Sequence, residues 1–316
     1  MILVTGATGF VGGALVRRLA ADPACKGVVA AVRRKVETRP EGGRQVQVGD
    51  LLLTTDWGLA LQGVDAVVHC AARVHVMQDD AVDALHAYRE VNVFGTLHLA
   101  RQAAQARVRR FVFVSSIKVN GEATQPGRPF SADDAPSPLD PYGASKMEAE
   151  RGLREIEAQT GMEVVIVRPP LVYGPGVKAN FAAMMRWLAR GMPLPLGSIH
   201  NARSMVALDN LVDLLATCLN HPAAAGQTFL VSDGQDVSTT ELLRRTASAM
   251  GKKALLLPVP AYVLELGATL LGKRDVAQRL CGSLQVDIDK TRHLLGWSPT
   301  LTLDQGLKKA VEGMKP

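Results

Sequence analysis

Cysteine, aromatic residues and long apolar runs are all scarce in this chain of 316 residues. The four cysteines lie far apart and form no CxxC pair, and neither they nor the seven histidines have the spacing of a metal site. Aromatic residues make up only 4% of the chain, and its net charge of +6 comes without a lysine-rich tail or an arginine–aromatic stripe. Metal binding and nucleic-acid binding are therefore not expected.

No stretch of about 20 residues is apolar enough to predict a membrane span. The most apolar segment, residues 254–272, is interrupted by Pro258, Pro260 and Glu265. We expect a buried helix there, with a helix that lies on a membrane surface as the alternative. The chain runs from Met1 directly into the first motif, which leaves no room for a signal peptide, so a cytoplasmic location is expected.

The first half of the chain alternates short, wholly apolar runs with longer helical patterns, and 47% of all residues are hydrophobic. Such runs predict buried parallel strands with helices on both faces of the sheet. The predicted strands are 2–5, 27–32, 45–48, 66–70, 111–114 and 164–168. The predicted helices between them are 12–21, 91–105 and 145–159.

A glycine-rich segment joins the first strand to the first helix. Gly6, Gly9 and Gly12 permit a tight turn, close approach of the backbone to a pyrophosphate, and close packing of helix on strand. The N-terminus of the helix presents free N–H groups to the phosphates. We therefore expect a dinucleotide site formed by Gly6, Thr8, Gly9, Phe10, Val11 and Gly12.

After residue 170 the regular alternation of strands and helices ends. Turn residues cluster at 173–176 and 193–197, and a helix–strand unit at 208–231 could rejoin the sheet. The pattern predicts an α/β fold, a Rossmann-type doubly wound parallel sheet with a smaller interleaved C-terminal substrate domain. We expect a dinucleotide-binding domain at 1–170, rejoined by about 206–236, and a mostly substrate-binding domain at 171–316.

The residues that follow the second strand bear on the choice between NADP and NAD. An acid at this position favours NAD, whereas an arginine accommodates the 2′-phosphate of NADP. The chain has Arg33 and Arg34 there, and no acid before Glu37. NADP is therefore predicted, because a guanidinium can hold a phosphate with two hydrogen bonds. The alternative is NAD, with both arginines as solvated surface charges.

Tyr142 and Lys146 form the pair expected to carry the chemistry. Their spacing puts both side chains on one face of a helix. A free tyrosine has a pKa of about 10, and a nearby ammonium or a positive nicotinamide ring favours the phenolate. Tyr142 is thus predicted to exchange a proton with a substrate hydroxyl or ketone. A predicted strand upstream ends in two hydroxyls, Ser115 and Ser116.

The GxxGxxG spacing at 6–12, the strand-end serines and the YxxxK together resemble the extended short-chain dehydrogenase/reductase superfamily. The resemblance implies that Ser116 is a third catalytic residue and that Lys146 also holds the nicotinamide ribose. Asn92 lies in a family-like Asn-Val-x-Gly-Thr stretch. The resemblance places further cofactor contacts at Asp50, Leu51, Cys70, Ala71, Ala72, Ser115 and Pro169, and implies a homodimer formed through the helices near 92–105 and 145–159.

Two later segments resemble the nucleotide-sugar epimerase/dehydratase/reductase group. Residues 168–174 are similar to its RPxxVYG motif, and residues 203–209 to its RDxxxVxD motif. The resemblance implies a nucleotide-sugar substrate, expected to be UDP-linked, whose phosphates lie near Asn180 and Arg203. Ser116 and Tyr142 would contact the sugar. The loop 73–77 is also expected to face the sugar.

The sequence departs from the group at two positions, and this difference excludes one of the reactions that the group catalyses. Ile117 and Lys118 stand where dehydratases of the group carry Asp-Glu, so dehydration is not expected. The favoured activity is reduction of a 4-keto-6-deoxy UDP-sugar with NADPH, because Arg33 and Arg34 favour NADP. The alternative is a UDP-hexose or UDP-N-acetylhexosamine 4-epimerase that uses a transient 4-keto sugar. A non-catalytic NAD(P)-sensing protein is less favoured, because such relatives generally lose the tyrosine or the lysine.

Overall fold

The structure is a computed structural model that describes residues 1–34, 43–74, 84–125, 127–272 and 274–314. Most of the loop expected to face the sugar, including His75, lies outside these ranges, as do Lys35 and Glu37.

A parallel sheet of seven strands forms the centre of the described chain, in the order β3-β2-β1-β4-β5-β6-β9. A separate parallel pair, β7 and β8, lies outside it. The strands are β1 (Ile2–Thr5), β2 (Val28–Val32), β3 (Gly43–Gln47), β4 (Ala66–His69), β5 (Arg110–Val114), β6 (Glu163–Arg168), β7 (Leu171–Tyr173), β8 (Met205–Ala207) and β9 (Thr228–Leu230). The chain changes direction across the sheet between β1 and β4, which is where ligands bind in such folds.

Helices flank the sheet and form most of the C-terminal part, and they are numbered in chain order. They are α1 (Phe10–Ala20), α2 (Gly58–Leu61), α3 (Ala84–Arg89), α4 (Thr96–Gln105), α5 (Pro141–Thr160), α6 (Ala179–Ala189), α7 (Leu208–Asn220), α8 (Thr239–Ala249), α9 (Ala261–Leu270), α10 (Arg274–Cys281), α11 (Asp289–Leu295) and α12 (Leu303–Glu312). A π-helical turn over Glu90–Gly95 joins α3 to α4. The predicted strands and helices of the first half are confirmed to within a few residues.

Alternate residues of each central strand supply the two layers of the core. Leu3 and Phe111 pack among residues of α2, α4 and α5 on one face, whereas Val4 and Val112 pack among residues of α1 and α7 on the other. Side chains that alternate in this way need apolar residues at every position, because both faces of the sheet are covered. The predicted doubly wound α/β class is confirmed by this arrangement.

The chain beyond β6 returns to the sheet before it ends. β9 pairs with β6, with Val167 opposite Phe229. Two smaller apolar clusters lie among the C-terminal elements, one formed by α6, α8, α12 and the β7–β8 pair, and the other by α6, α8 and part of α9. The helix–strand unit predicted at 208–231 is therefore present as α7 and β9.

The prediction of a buried helix within 254–272 is wrong in one respect. A helix does form there, α9, but none of its residues is buried. Leu266 is 62% exposed and Leu270 is 80% exposed. Sequence hydropathy predicted the helix but gave no indication of what would cover it. Of the helices in the described ranges, none combines the length and the apolar character that crossing a membrane requires.

Candidate active site

The glycine-rich loop leaves no room for side chains at its glycines. Gly6 has a φ of +62°, and a Cβ on Gly12 would lie 2.3 Å from the Gly6 carbonyl oxygen. A Cβ on Gly6 would lie 2.9 Å from the backbone nitrogen of Ala71. Helix α1 begins after Gly9 without a side-chain cap, so its first N–H groups are left for a ligand. The loop and helix end therefore fit the pyrophosphate of a dinucleotide.

His69 holds the ends of β1 and β4 beside this loop. Its Nδ1 lies 2.7 Å from the Thr5 hydroxyl oxygen, and its Nε2 lies 3.0 Å from that of Thr96. Burial lowers the pKa of His69 to about 3, so the imidazole is neutral near pH 7. Thr5 also accepts a hydrogen bond from the Ala71 backbone nitrogen at 3.2 Å, which fixes the chain at the predicted cofactor residues 70–72.

Strand β5 and helix α5 bring the three predicted catalytic residues to the same end of the sheet. Ser116 lies two residues beyond the end of β5, and Tyr142 and Lys146 lie in the first two turns of α5. Asp140 begins this helix by accepting a hydrogen bond from the Gly143 nitrogen at 2.6 Å, and Pro141 occupies the first helical position. The side-chain periodicity that put Tyr142 and Lys146 on one face is thus realised.

The Tyr142 phenol is partly buried and surrounded by groups that oppose its ionisation. Burial raises its pKa above the usual value, and the charges of Asp140 and Tyr88 raise it further. A hydrogen bond with the Ser116 side chain acts in the opposite direction. The phenol is therefore protonated near neutral pH in this structure, and ionising it requires positive charge nearby.

Lys146, four positions further along α5, is the residue predicted to supply that charge. Its ammonium group is almost fully buried, donates to the Val114 carbonyl at 2.8 Å, and lies 4.4 Å from the centre of the Phe113 ring. Burial lowers its pKa to about 8, while Glu150 and Cys70 oppose the shift. An ammonium with a pKa of about 8 is charged at neutral pH and can exchange its proton at little cost.

A buried ion pair anchors α5 to the sheet under these residues. Arg168 on β6 contacts both carboxylate oxygens of Glu150, at 3.0 and 2.6 Å. It also donates to the Asn120 side-chain oxygen at 2.9 Å. The Ser115 hydroxyl donates to Glu150 at 2.5 Å, so this predicted cofactor residue is held by the ion pair. A pair that is buried and fully hydrogen-bonded fixes the relative position of the two elements.

The Lys118 side chain reaches the start of α5. Its ammonium group forms ion pairs with Asp140 and with Glu122, the latter at 3.0 Å. Asp140 is the residue that caps α5 and whose charge raises the Tyr142 pKa. Lys118 therefore neutralises the carboxylate next to the phenol, a role that its sequence position did not reveal.

Tyr88, on the N-terminal side of the π-helical turn, was not predicted as a neighbour of the site, whereas Arg73 belongs to the loop expected to face the sugar. The Tyr88 ring meets the Tyr142 ring edge-on at 6.0 Å, and the Arg73 guanidinium lies 5.7 Å from the centre of Tyr88. Asn92 donates to Ser145 on α5 and accepts from the Arg73 backbone nitrogen. The spacing of four between Tyr88 and Asn92 was the available signal, since it puts both on one helical face.

The predicted adenosine end of the site lies at the tips of β2 and β3. Arg33 and Arg34 directly follow β2 and are exposed. Arg33 lies 3.9 Å from Asp50, which is also exposed, whereas Leu51 is buried. An acid therefore does approach the position where the sequence showed only arginines, and it comes from the segment after the neighbouring strand.

The predicted substrate residues lie on the C-terminal elements. Asn180 is exposed in the first turn of α6. The Arg203 Nη1 donates to the carbonyls of Arg279 and Gly282 at 3.0 and 3.1 Å, and burial lowers the pKa of its guanidinium. A cavity of about 510 Å³ lies nearby, lined in part by Asn201, Ser283 and residues 198–200. Pro169 is buried, and its carbonyl accepts from the Ile117 nitrogen at 3.0 Å.

Comparisons with known proteins agree with this site. A model of the NAD dependent epimerase/dehydratase family matches residues 2–232. The chain belongs to this family. A UDP-glucose 4-epimerase from Vibrio cholerae is 51% identical over 314 residues, which cover 98% of this chain and 94% of that protein. The resemblance to the extended short-chain dehydrogenase/reductase superfamily is thereby confirmed, and the chain is an NAD(P)-dependent enzyme.

Two solved structures resemble the whole chain. One is a UDP-glucuronic acid 4-epimerase from Bacillus cereus in complex with NAD, with a TM-score of 0.78, 23% identity and coverage of 99% of this chain and 97% of that one. The other is MoeE5 in complex with UDP-glucuronic acid and NAD, with a TM-score of 0.77, 27% identity and coverage of 99% and 98%. The first shows that the epimerase/dehydratase fold extends over the full chain.

The prediction of a 4-keto-6-deoxy sugar reductase is wrong. The Vibrio cholerae relative at 51% identity is a UDP-glucose 4-epimerase, and structural neighbours are UDP-sugar epimerases. The physical reason for the error is that the predicted catalytic residues Ser116, Tyr142 and Lys146 would serve both reactions equally. The preference therefore rested on Arg33 and Arg34, which bear on the cofactor and not on the fate of the sugar.

Proposed function

We propose that this protein is a 4-epimerase of a UDP-linked hexose or N-acetylhexosamine. The observation that carries the proposal is the 51% identity, over nearly the whole of both chains, to a protein named UDP-glucose 4-epimerase. The geometry is in keeping with it, because a phenol, a hydroxyl and a buried ammonium converge beside a loop that fits a dinucleotide.

Tyr142 acts as the proton carrier of the reaction. A bound nicotinamide cofactor supplies the group that accepts hydride from C4 and returns it. Tyr142 takes the proton of the C4 hydroxyl and gives it back once the sugar presents its other face. Proton transfer by a positioned side chain contributes about 10²–10⁴ in rate. Because the Tyr142 phenol is hard to ionise in this structure, Lys146 must stabilise the phenolate for the transfer to occur.

Ser116 orients the sugar oxygen, and two residues of the C-terminal elements hold the diphosphate. The Ser116 side chain interacts with Tyr142, so one substrate oxygen can contact both. Arg203 has one Nη group held by backbone carbonyls, which fixes the plane of its guanidinium for a phosphate on its other edge. Asn180 lies exposed at the start of α6, where its amide can donate to the same phosphates.

We propose that NAD is the cofactor of this epimerase. Asp50 approaches Arg33 and can accept from the adenosine ribose hydroxyls, and the two solved structures described above contain NAD. Arg33 and Arg34 remain the feature that favours NADP, and the question is settled by the nucleotide itself. The test is to denature the purified protein and identify the released dinucleotide by chromatography. NAD is expected, and NADP would reverse the assignment.

The domain division and the dimer also stay as proposals. Residues 1–170 with about 206–236 would hold the dinucleotide, and the rest of 171–316 the nucleotide sugar. A homodimer would form through the faces of α4 and α5 that do not pack on the sheet. Sedimentation of wild type and of Arg101→Glu tests the dimer, since Arg101 on α4 is exposed and a charge reversal there should weaken it. A monomeric wild type contradicts it.

The activity is tested without added coenzyme. UDP-glucose, UDP-galactose and UDP-N-acetylglucosamine are each incubated with the protein, and the C4 epimers are separated by chromatography. At least one pair should interconvert. Tyr142→Phe should lower the rate by about 10²–10⁴ and leave the unfolding temperature unchanged. Failure of all three sugars to epimerise would overturn the proposal, and equal activity of Tyr142→Phe would remove the phenol from the mechanism.

A further inference from the structure

A strongly apolar surface lies far along the chain from the catalytic residues. Six of its large apolar side chains are more than half exposed, and we call them the apolar ridge: Leu255, Leu257, Tyr262, Leu266, Leu270 and Leu271. Of the 19 large apolar side chains that the described chain exposes, these six lie within 17 consecutive residues. Exposed apolar side chains that are concentrated in this way indicate an interaction site.

The ridge cannot fold inward, because its backbone is already fixed. In α9, Ala261 and Leu264 pack on the cluster that includes Leu243 and Ala247 of α8. The spacing of four between the ridge members of α9 then turns them outward as one stripe. The segment before α9 is bonded to the chain after α6, where Leu194 donates to the Leu255 carbonyl at 2.9 Å.

The charges around the ridge are mostly positive. Lys252 and Lys253 are exposed two and three positions before Leu255, and the Lys252 ammonium also donates to the Ala189 carbonyl. Arg279 is exposed on α10, which packs against α9. In the sequence between 252 and 282 the cations outnumber the acids: there are five of the former and two of the latter, Glu265 and Asp275. A second copy of the same surface would bring these cations together across a symmetric interface, which is unfavourable. An anionic lipid surface accepts both the apolar side chains and the cations.

We propose that the apolar ridge docks on an anionic lipid surface. The leucines of α9 enter the boundary between headgroups and acyl chains. The Tyr262 ring lies at the same level with its hydroxyl toward water, and Lys252 and Lys253 contact lipid phosphates. This attachment is peripheral and holds the protein against a bilayer without a spanning helix. It goes beyond the proposed epimerase activity and does not depend on it.

Vesicle flotation tests the docking directly. The full chain is mixed with vesicles of equal parts phosphatidylcholine and phosphatidylglycerol, or of phosphatidylcholine alone, and the fraction that floats is measured. Wild type should float with the anionic vesicles, and less so as salt is added. The variant Leu266→Glu/Leu270→Glu should lose about tenfold or more in vesicle affinity. Lys252→Gln/Lys253→Gln should weaken binding to anionic vesicles, about fivefold for each charge removed.

The matched control is Leu59→Glu, which places the same change on α2, at a leucine that is 73% exposed. It should float like wild type. The double variant Leu266→Glu/Leu270→Glu should epimerise the sugar as fast as wild type does, and that rate is the evidence that it folds. If the double variant does not fold, Leu255→Glu is used in the flotation experiment instead. The proposal is overturned if Leu266→Glu/Leu270→Glu, or Leu255→Glu in its place, floats with anionic vesicles as well as wild type does. Absence of flotation also overturns it, as does a change of oligomeric state in the double variant without a loss of flotation, which would assign the ridge to a second copy.

Discussion

At the scale of single residues, the charge on Lys118 bears on the phenol of Tyr142 although the two side chains belong to different elements. Asp140 lies between them, paired with Lys118 and close enough to raise the Tyr142 pKa. Lys118→Met leaves that carboxylate unneutralised. We expect the pH profile of the epimerisation rate to move to higher pH and the rate at neutral pH to fall by about tenfold. Lys118→Arg should restore both, whereas an unshifted profile in Lys118→Met would mean that the pair is only structural.

The depressed pKa of Lys146 predicts a pH-dependent stability. Its usual pKa is 10.5 and burial lowers it to about 8 in the folded protein. Between these values the unfolded chain binds more protons at this lysine than the folded one, so the free energy of unfolding rises with pH. Relative to Lys146→Met, wild type should gain about 3 kcal/mol from below pH 8 to above pH 10.5. Urea unfolding at several pH values measures this, and a constant difference contradicts it.

The sequence was sufficient for the residues that sit in local motifs and not for those that meet across the fold. Tyr142 and Lys146 are four positions apart, so helical geometry alone places them together. His69 and its partner Thr5 are separated by 64 positions, and their contact exists only because β1 and β4 are neighbours in the sheet. Glu150 gave no signal at all, because its partner Arg168 lies on another element.

At the scale of elements, the packing of α1 on β1 depends on the absence of one side chain. A Cβ on Gly12 would lie 2.3 Å from the Gly6 carbonyl oxygen, which is backbone and cannot move aside. Gly12→Ala should therefore lower the free energy of unfolding by about 1–3 kcal/mol and weaken dinucleotide binding. Denaturant unfolding and a fluorescence titration with NAD measure the two effects.

Gly267→Ala is the matched control for that substitution. Gly267 lies within α9, and a Cβ there would meet no atom within 4 Å. Alanine should raise the free energy of unfolding by about 0.5–1 kcal/mol, because it reduces the freedom of the unfolded chain. Equal losses of stability in both variants would show that the contact at Gly12 is not the cause.

Elements were predicted best where burial follows from a covered sheet. The apolar runs of the first half are strands within a few residues, because only a strand covered on both faces needs apolar residues at every position. Helix α9 is apolar as well, yet its exposure could not be inferred. The hydropathy of a segment indicates how much free energy its burial would contribute, but it does not show whether the fold contains another element that covers the segment.

At the scale of the whole molecule, one asparagine on α7 ties the last part of the chain to the sheet. Asn210 is fully buried, donates to Asp233 at 2.7 Å and to the Leu301 carbonyl at 2.9 Å, and accepts from the Leu301 nitrogen. Asn210→Ala leaves these groups without partners and should lower the free energy of unfolding by about 2–4 kcal/mol. Asn220→Ala, on the exposed end of the same helix, should stay within about 0.5 kcal/mol of wild type in the same urea titration.

The sequence motifs could not decide which reaction the whole protein performs. The predicted catalytic residues Ser116, Tyr142 and Lys146 would serve the reduction of a keto sugar as well as the inversion of a hydroxyl, so they do not separate the two reactions. Identity over the whole length carried that information, because it compares all parts of the two chains and not only the predicted catalytic residues.

The position of β9 beside β6 has a consequence for synthesis. Residues 163–168 form their strand early in the chain, but their outer neighbour is residues 228–230. While the ribosome translates the segment between them, the nascent polypeptide exposes the backbone hydrogen-bonding groups of Val164 and Ile166, which later pair with Gly226 and Gln227. The edge of β6 stays unpaired until β9 has been synthesised. Chaperone binding to the nascent chain should therefore be strongest before residue 230 emerges from the exit tunnel, and weaker afterwards.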